Sequence, residues 1–185
     1  MDVEKIFSLS NDLFDKTRLN FEQVSYILPP KFSKDLSNSV LYSSIWTLDT
    51  YYNMHLEDKE VQIGYQHSIV IREMLKNSRW HGGSKDESPT LFSLFTHPDK
   101  FALGCFDGGD YFKRADIKEI WENKNELKEY HDAKQYGIGY HVGYRYFKDK
   151  FDEIKIDTEN GVFYGIVNMK DFFTKNAIEL REIKL

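Results

Sequence analysis

Two short apolar runs rich in strand-forming residues, TLFSLFT and KFALGCFD, stand back to back with only the turn-like HPDK between them. Runs this close are expected to pair as a hairpin. A second pair near the end, FDEIKID and VFYGIVNM, meets at the hairpin-like turn TENG. An earlier run, FEQVSYILPP, alternates apolar and polar residues and then reaches two prolines, which cannot donate to a ladder, so it reads as a strand with a hard stop. Strands therefore cluster instead of alternating strictly with helices. This order predicts an α+β protein, a two-layer sandwich with helices on one face of a mixed, mostly antiparallel sheet.

The helices show in the spacing of apolar residues. Leu36, Val40, Leu41, Ile45, Leu48 and Tyr52 keep a period near 3.6, predicting a helix over about residues 34–55. A second helix is expected from about residue 60 to 81, closed by Gly82 and Gly83, which can take the left-handed conformation that ends helices. Val3, Ile6, Phe7, Leu13 and Phe14 predict a short N-terminal helix. The charged stretch 114–130, with Ile117, Ile120, Trp121 and Leu127 on one side, reads as a solvated surface helix, and another follows Gly137 and Gly139.

The 185 residues suit one domain with a single core. A hydrophobic share of 41% is too high for disorder, and no apolar run approaches the roughly 18 residues needed to cross a bilayer. The opening residues alternate charge and hydrophobe, unlike a signal peptide, so a cytoplasmic protein is expected. The lone cysteine, Cys105, lies in the apolar FALGCF and reads as a buried, inert thiol. A net charge of −5 offers no general attraction for nucleic acid or an anionic membrane, and neither is expected as a partner.

The chemistry concentrates in REMLKNSRWHGG, where Glu73, Asn77 and His81 recur every fourth residue. On a helical wheel Val70, Ile71, Met74, Leu75 and Ser78 gather into a core-facing arc, with Arg72, Lys76 and Arg79 opposite. Glu73, Asn77 and His81 climb the border between the two, drifting about 40° per step. Such a flank is either ordinary boundary or the wall of a cleft. Asn77 favours the cleft, since asparagine is a poor helix former unless its side chain has a partner. Further on, FDGGDYF ends a strand and YGIGYHVGY opens a helix. An aspartate at a strand end can accept a hydrogen bond from an exocyclic amine beside a glycine that admits a flat ring. Glycines at a helix start expose amides that can cradle phosphate.

In this order and spacing the three motifs resemble the GHKL (Bergerat-fold) nucleotide-binding superfamily, above all its anti-sigma-factor serine kinases. Those proteins carry a helical glutamate, an asparagine four residues later, then histidine and glycine, matched here by Glu73, Asn77, His81 and Gly82. The resemblance spans residues 20–168, leaving 1–19 as an N-terminal extension and 169–185 as a tail. It implies ATP and Mg²⁺ as cofactors. Asn77 would ligate the metal and Glu73 would be the general base, while His81 would sit near the ligand or cap the helix. Asp107 would bind the adenine amino group beside Gly109. Gly137 and Gly139 would belong to the phosphate loop, and residues 110–136 would form a lid. Tyr111 stands where the family has a glycine, altering the floor of the adenine pocket. Tyr136, Tyr140 and Tyr144 recur every four residues and are expected to pack in the core. With little chain before or after the motifs, the resemblance implies a stand-alone module. It would be a serine-kinase-like or ATPase switch acting on a regulatory protein partner, or a nucleotide-binding adaptor or homodimeric scaffold without turnover. An α+β domain with an unrelated ligand is the third reading. Trp46, Trp80 and Trp121 are candidate interface residues.

Overall fold

A computed structural model of the chain describes residues 22–55, 62–81, 89–106, 113 and 150–170. The expected helices near residues 3–14, 114–130 and after Gly139 lie outside the described residues, as do the tyrosines of the 136–144 stripe.

The order is β1 (Glu22–Leu28), α1 (Lys34–His55), α2 (Ile63–Gln66), α3 (Ser68–His81), β2 (Thr90–His97), β3 (Lys100–Phe106), β4 (Glu153–Asp157) and β5 (Val162–Asn168). The protein is α+β. Its five strands form one sheet in the order β1-β2-β3-β5-β4, and every described pairing is antiparallel, so the parallel component expected of a mixed sheet is absent among the described residues. Both expected hairpins form. In the β4–β5 turn the Asp157 carboxylate accepts hydrogen bonds from the Glu159 and Asn160 amides, and Gly161 takes a positive φ of 71°.

Each helix starts or stops for a local reason. Pro29 and Pro30 end β1, and Ser33 then caps α1, its Oγ accepting from the Leu36 amide at 3.1 Å. The single helix expected over residues 60–81 is instead two, α2 and α3, broken at His67. The physical cause is a side chain. The His67 ring turns into the core, with Nδ1 2.8 Å from the Ile63 carbonyl oxygen, and packs edge-on against Phe101.

The sheet register sorts side chains between two faces. Phe92, Leu94, Phe101, Leu103, Cys105, Ile154, Ile156, Phe163 and Val167 join Leu48, Tyr52, Val70, Ile71, Met74 and Leu75 of the helices in one core. The opposite face carries its own buried cluster of Phe95, Ala102, Val162, Tyr164 and Ile166. α1 and α3 do pack on one face, as expected of a two-layer arrangement. The central strands are nonetheless buried on both sides, which is why TLFSLFT, FALGCF and VFYGIV are near-continuous apolar runs instead of alternating ones. Tyr52 ties α1 to the sheet by donating to the His97 carbonyl at 2.8 Å, and burial pushes its phenol far above the usual value. Among the described residues no helix is long and apolar enough to cross a membrane.

α2 meets α1 backbone to backbone. A methyl on Gly64 would lie inside contact distance of the Ile45 carbonyl group and Cα, and the Gly64 amide donates to the Asp49 carboxylate at 2.7 Å. Gly64→Ala is therefore expected to cost about 1–3 kcal/mol through overpacking, lowering Tm by roughly 2–4 °C for each kcal/mol, measured by thermal unfolding.

His67 generates a pH prediction. Burial holds its pKa below the ordinary 6.5, opposed by hydrogen bonds to the Ile63 and Lys150 backbone. The folded ring stays neutral while the unfolded chain takes up a proton as pH falls through 6.5, so stability is complete above that value and is lost below it. The slope approaches about 1.4 kcal/mol per pH unit within the window. His67→Phe should remove this component of the slope, measured by urea unfolding on either side of pH 6.5.

Candidate functional site

α3 places the residues singled out by their fourfold spacing. Val70, Ile71, Met74, Leu75 and Ser78 are buried, as the wheel requires, and Arg72 and Lys76 are exposed. Glu73 and Asn77 are half-buried and lie one turn apart on the border between these faces. His81 is the last residue of the helix. Asp107, Gly109, Gly137 and Gly139 lie outside the described residues, and so do Gly82, Tyr111 and Trp121.

The helix is fastened to the sheet beside this border. Ser78, the residue after Asn77, has its Oγ 2.9 Å from Cys105 Sγ, and both side chains are buried. Cys105 is the penultimate residue of β3, two before Asp107 in sequence. The wheel had placed Ser78 among apolar neighbours without a partner, and the buried thiol now supplies one. A hydroxyl removed from water needs such a bond, so the pair fixes both the height and the rotation of α3 over β3.

Lys76 is the participant that the sequence reading set on the opposite face. Its ammonium reaches back across about 60° of the helix to Glu73, 3.3 Å from one carboxylate oxygen and 3.5 Å from the other, and sits 5.3 Å from the centre of the Trp80 ring. The three-residue spacing between acid and lysine was the available signal, since such pairs are neighbours on a helix. Trp80 is 61% exposed. Glu73 is thus a partly solvated carboxylate held by a mobile cation, and Asn77 presents an amide of the kind that ligates hard cations. Among the described residues no group of three or more His, Cys, Asp or Glu could hold a metal by itself. Any ion bound at Asn77 would draw its other ligands from elsewhere, a common arrangement for magnesium, which keeps waters and takes phosphate oxygens.

Comparison with known proteins adds no relative, since no protein-family model and no curated protein matches the chain.

The two polar contacts of α3, one to the sheet and one within the helix, should differ in weight. Ser78→Ala removes the buried Ser78–Cys105 contact and is expected to cost about 1 kcal/mol. Lys76→Met removes a solvated ion pair and the ammonium above Trp80 but keeps an apolar side chain beside the ring, and should change stability by less than about 0.5 kcal/mol. Urea unfolding of both variants measures the contrast.

Proposed function

We propose that the chain is a Mg-ATP-binding module of the GHKL type, acting as a regulatory switch with ATPase or protein serine kinase activity. One observation carries the reading. Glu73 and Asn77 stand one turn apart on the half-buried edge of a helix whose next residue, Ser78, is bonded to the strand leading into Asp107. The spacing of carboxylate and amide on one edge, beside the end of an apolar strand, suits a pocket that takes a nucleotide edge-on.

In this reading the chain's own groups divide the work. Asn77 offers its amide oxygen to magnesium, and His81 at the helix end stands near the ligand. Asp107 accepts from the adenine amino group, with Gly109 making room for the ring, and the backbone amides around Gly137 and Gly139 hold phosphate. Glu73 takes the proton from the attacking water or serine hydroxyl. When bound, magnesium supplies charge neutralisation at the phosphates. The residues fit such an ion, because a single protein amide plus phosphate and water is an ordinary magnesium shell.

The Glu73–Lys76 contact favours one second reading, a nucleotide-holding adaptor without turnover, because a carboxylate engaged by an ammonium is not poised to accept a proton. The pair is solvated, however, and such pairs are worth about 0–1 kcal/mol. Breaking so weak a pair is a small cost beside the hundredfold or more that general base catalysis contributes.

Saturating ATP with Mg²⁺ should raise Tm by several degrees, as a ligand at about 100 times its Kd stabilises by about 2.7 kcal/mol. Asn77→Ala should abolish the magnesium-dependent part of the shift. Glu73→Gln should keep the shift and lose about 100-fold or more of the turnover. A protein stabilised by ATP but without turnover would select the adaptor, slow turnover that survives Glu73→Gln would remove Glu73 from the base role, and no shift with any adenine nucleotide would reject the ATP site.

A further inference from the structure

The outer face of α1 has a composition unlike that of a solvated helix. From residue 36 to 54, in a chain that is 30% charged, the one charged residue is Asp49. That carboxylate is engaged at the flank, accepting from the Gly64 amide. Opposite the buried stripe of Val40, Leu41, Ser44, Leu48 and Tyr52 runs a second stripe, Ser39, Tyr42, Trp46, Thr50 and Asn53, separated by steps of three or four residues. Tyr42 is 67% and Trp46 69% exposed. Exposed Tyr and Trp amid uncharged hydroxyl and amide side chains form the composition of an interface centre. The Ser39 hydroxyl of the stripe and that of neighbouring Thr47 are already satisfied within the helix, Ser39 Oγ donating to the Asp35 carbonyl at 3.0 Å and Thr47 Oγ1 to the Ser43 carbonyl at 2.8 Å. Covering them costs little desolvation.

We propose that this face binds a second copy of the chain, α1 packing antiparallel on α1 about a two-fold axis at Trp46. Two observations select that occupant. Each copy carries a net charge of −5, and like-charged copies meet with least repulsion over a stripe that carries no charge from Ser39 to Asn53, with Asp35 one turn beyond its end. The stripe is also self-complementary: antiparallel pairing about Trp46 sets Tyr42 against Thr50 of the second copy and Ser39 against Asn53, so a phenol meets a hydroxyl and a small side chain meets an amide. The absence of basic residues on the face argues against an anionic membrane as its partner. α1 is about 33 Å long and roughly 10 Å wide. That face alone falls below the roughly 800 Å² per partner of a standard interface. The dimer is therefore a weak one, with Kd in the micromolar range.

Sedimentation equilibrium across micromolar concentrations tests this, with the far-UV spectrum and Tm as folding controls. The wild-type mass should rise from 21.9 kDa toward twice that value. Trp46→Glu and, separately, Tyr42→Glu should remain folded and weaken association at least tenfold. Under oxidation, Tyr42→Cys mixed with Thr50→Cys should cross-link, whereas neither variant should do so alone. A wild type that stays monomeric throughout, including one that instead sediments with lipid vesicles, would overturn the proposal. So would a dimer unaffected by Trp46→Glu, or cross-linking of Tyr42→Cys with itself.

Discussion

The rows of side chains that run across β2, β3 and β5 hold the rest of the structure in place. Phe92 faces Cys105, which faces Phe163, and Leu94 faces Leu103, which faces Gly165. A slip of one residue between any two of these strands would send every side chain to the other face. Two unlike clusters oppose such a slip, because α1 and α3 sit on one and Phe95, Ala102, Val162, Tyr164 and Ile166 form the other. Gly104 and Gly165 mark where the register leaves room for a ring, of Tyr164 in the first case and Phe151 in the second. The site inherits this order, since Cys105 meets Ser78 only while its thiol points at the helices.

α3 divides its surface among three jobs. Its apolar arc is buried, Ser78 fastens it to β3, and the border with Glu73 and Asn77 is left partly open. Holding such a border still is difficult on a helix that rests on hydrophobic contact alone, because apolar packing is non-directional. The polar bond supplies the direction. α2 and His67 do the same at the other end of the helix, with one backbone crossing and one buried imidazole at the joint between α2 and α3.

The chain treats its two long helices differently toward solvent. α3 faces water with Arg72, Glu73 and Lys76, whereas α1 faces it with Tyr42, Trp46 and uncharged polar residues. In an acidic protein the first arrangement keeps neighbours at a distance and the second does not. The proposed nucleotide site and the proposed dimer face therefore occupy helices with different surface chemistry, though one core supports both.

Much of this was legible without coordinates because it depends on local pattern. The proline pair fixed the end of β1, the apolar period marked α1, and the short HPDK and TENG connections left each strand pair little choice but a hairpin. The wheel of α3 sorted Val70 through Ser78 correctly for the same reason: its period is a property of the helix itself. Residues whose behaviour depends on a distant neighbour were not legible. The break at His67 needs Phe101 and the pocket around it, Ser78 needs a thiol 27 residues away, and the two-sided burial of the strands needs a second face that no single strand reveals. Spacing along the chain decided which elements form and which residues share an edge. Packing between elements decided what those edges touch, because long-range contacts are set by the register of strands whose partners the local sequence does not name.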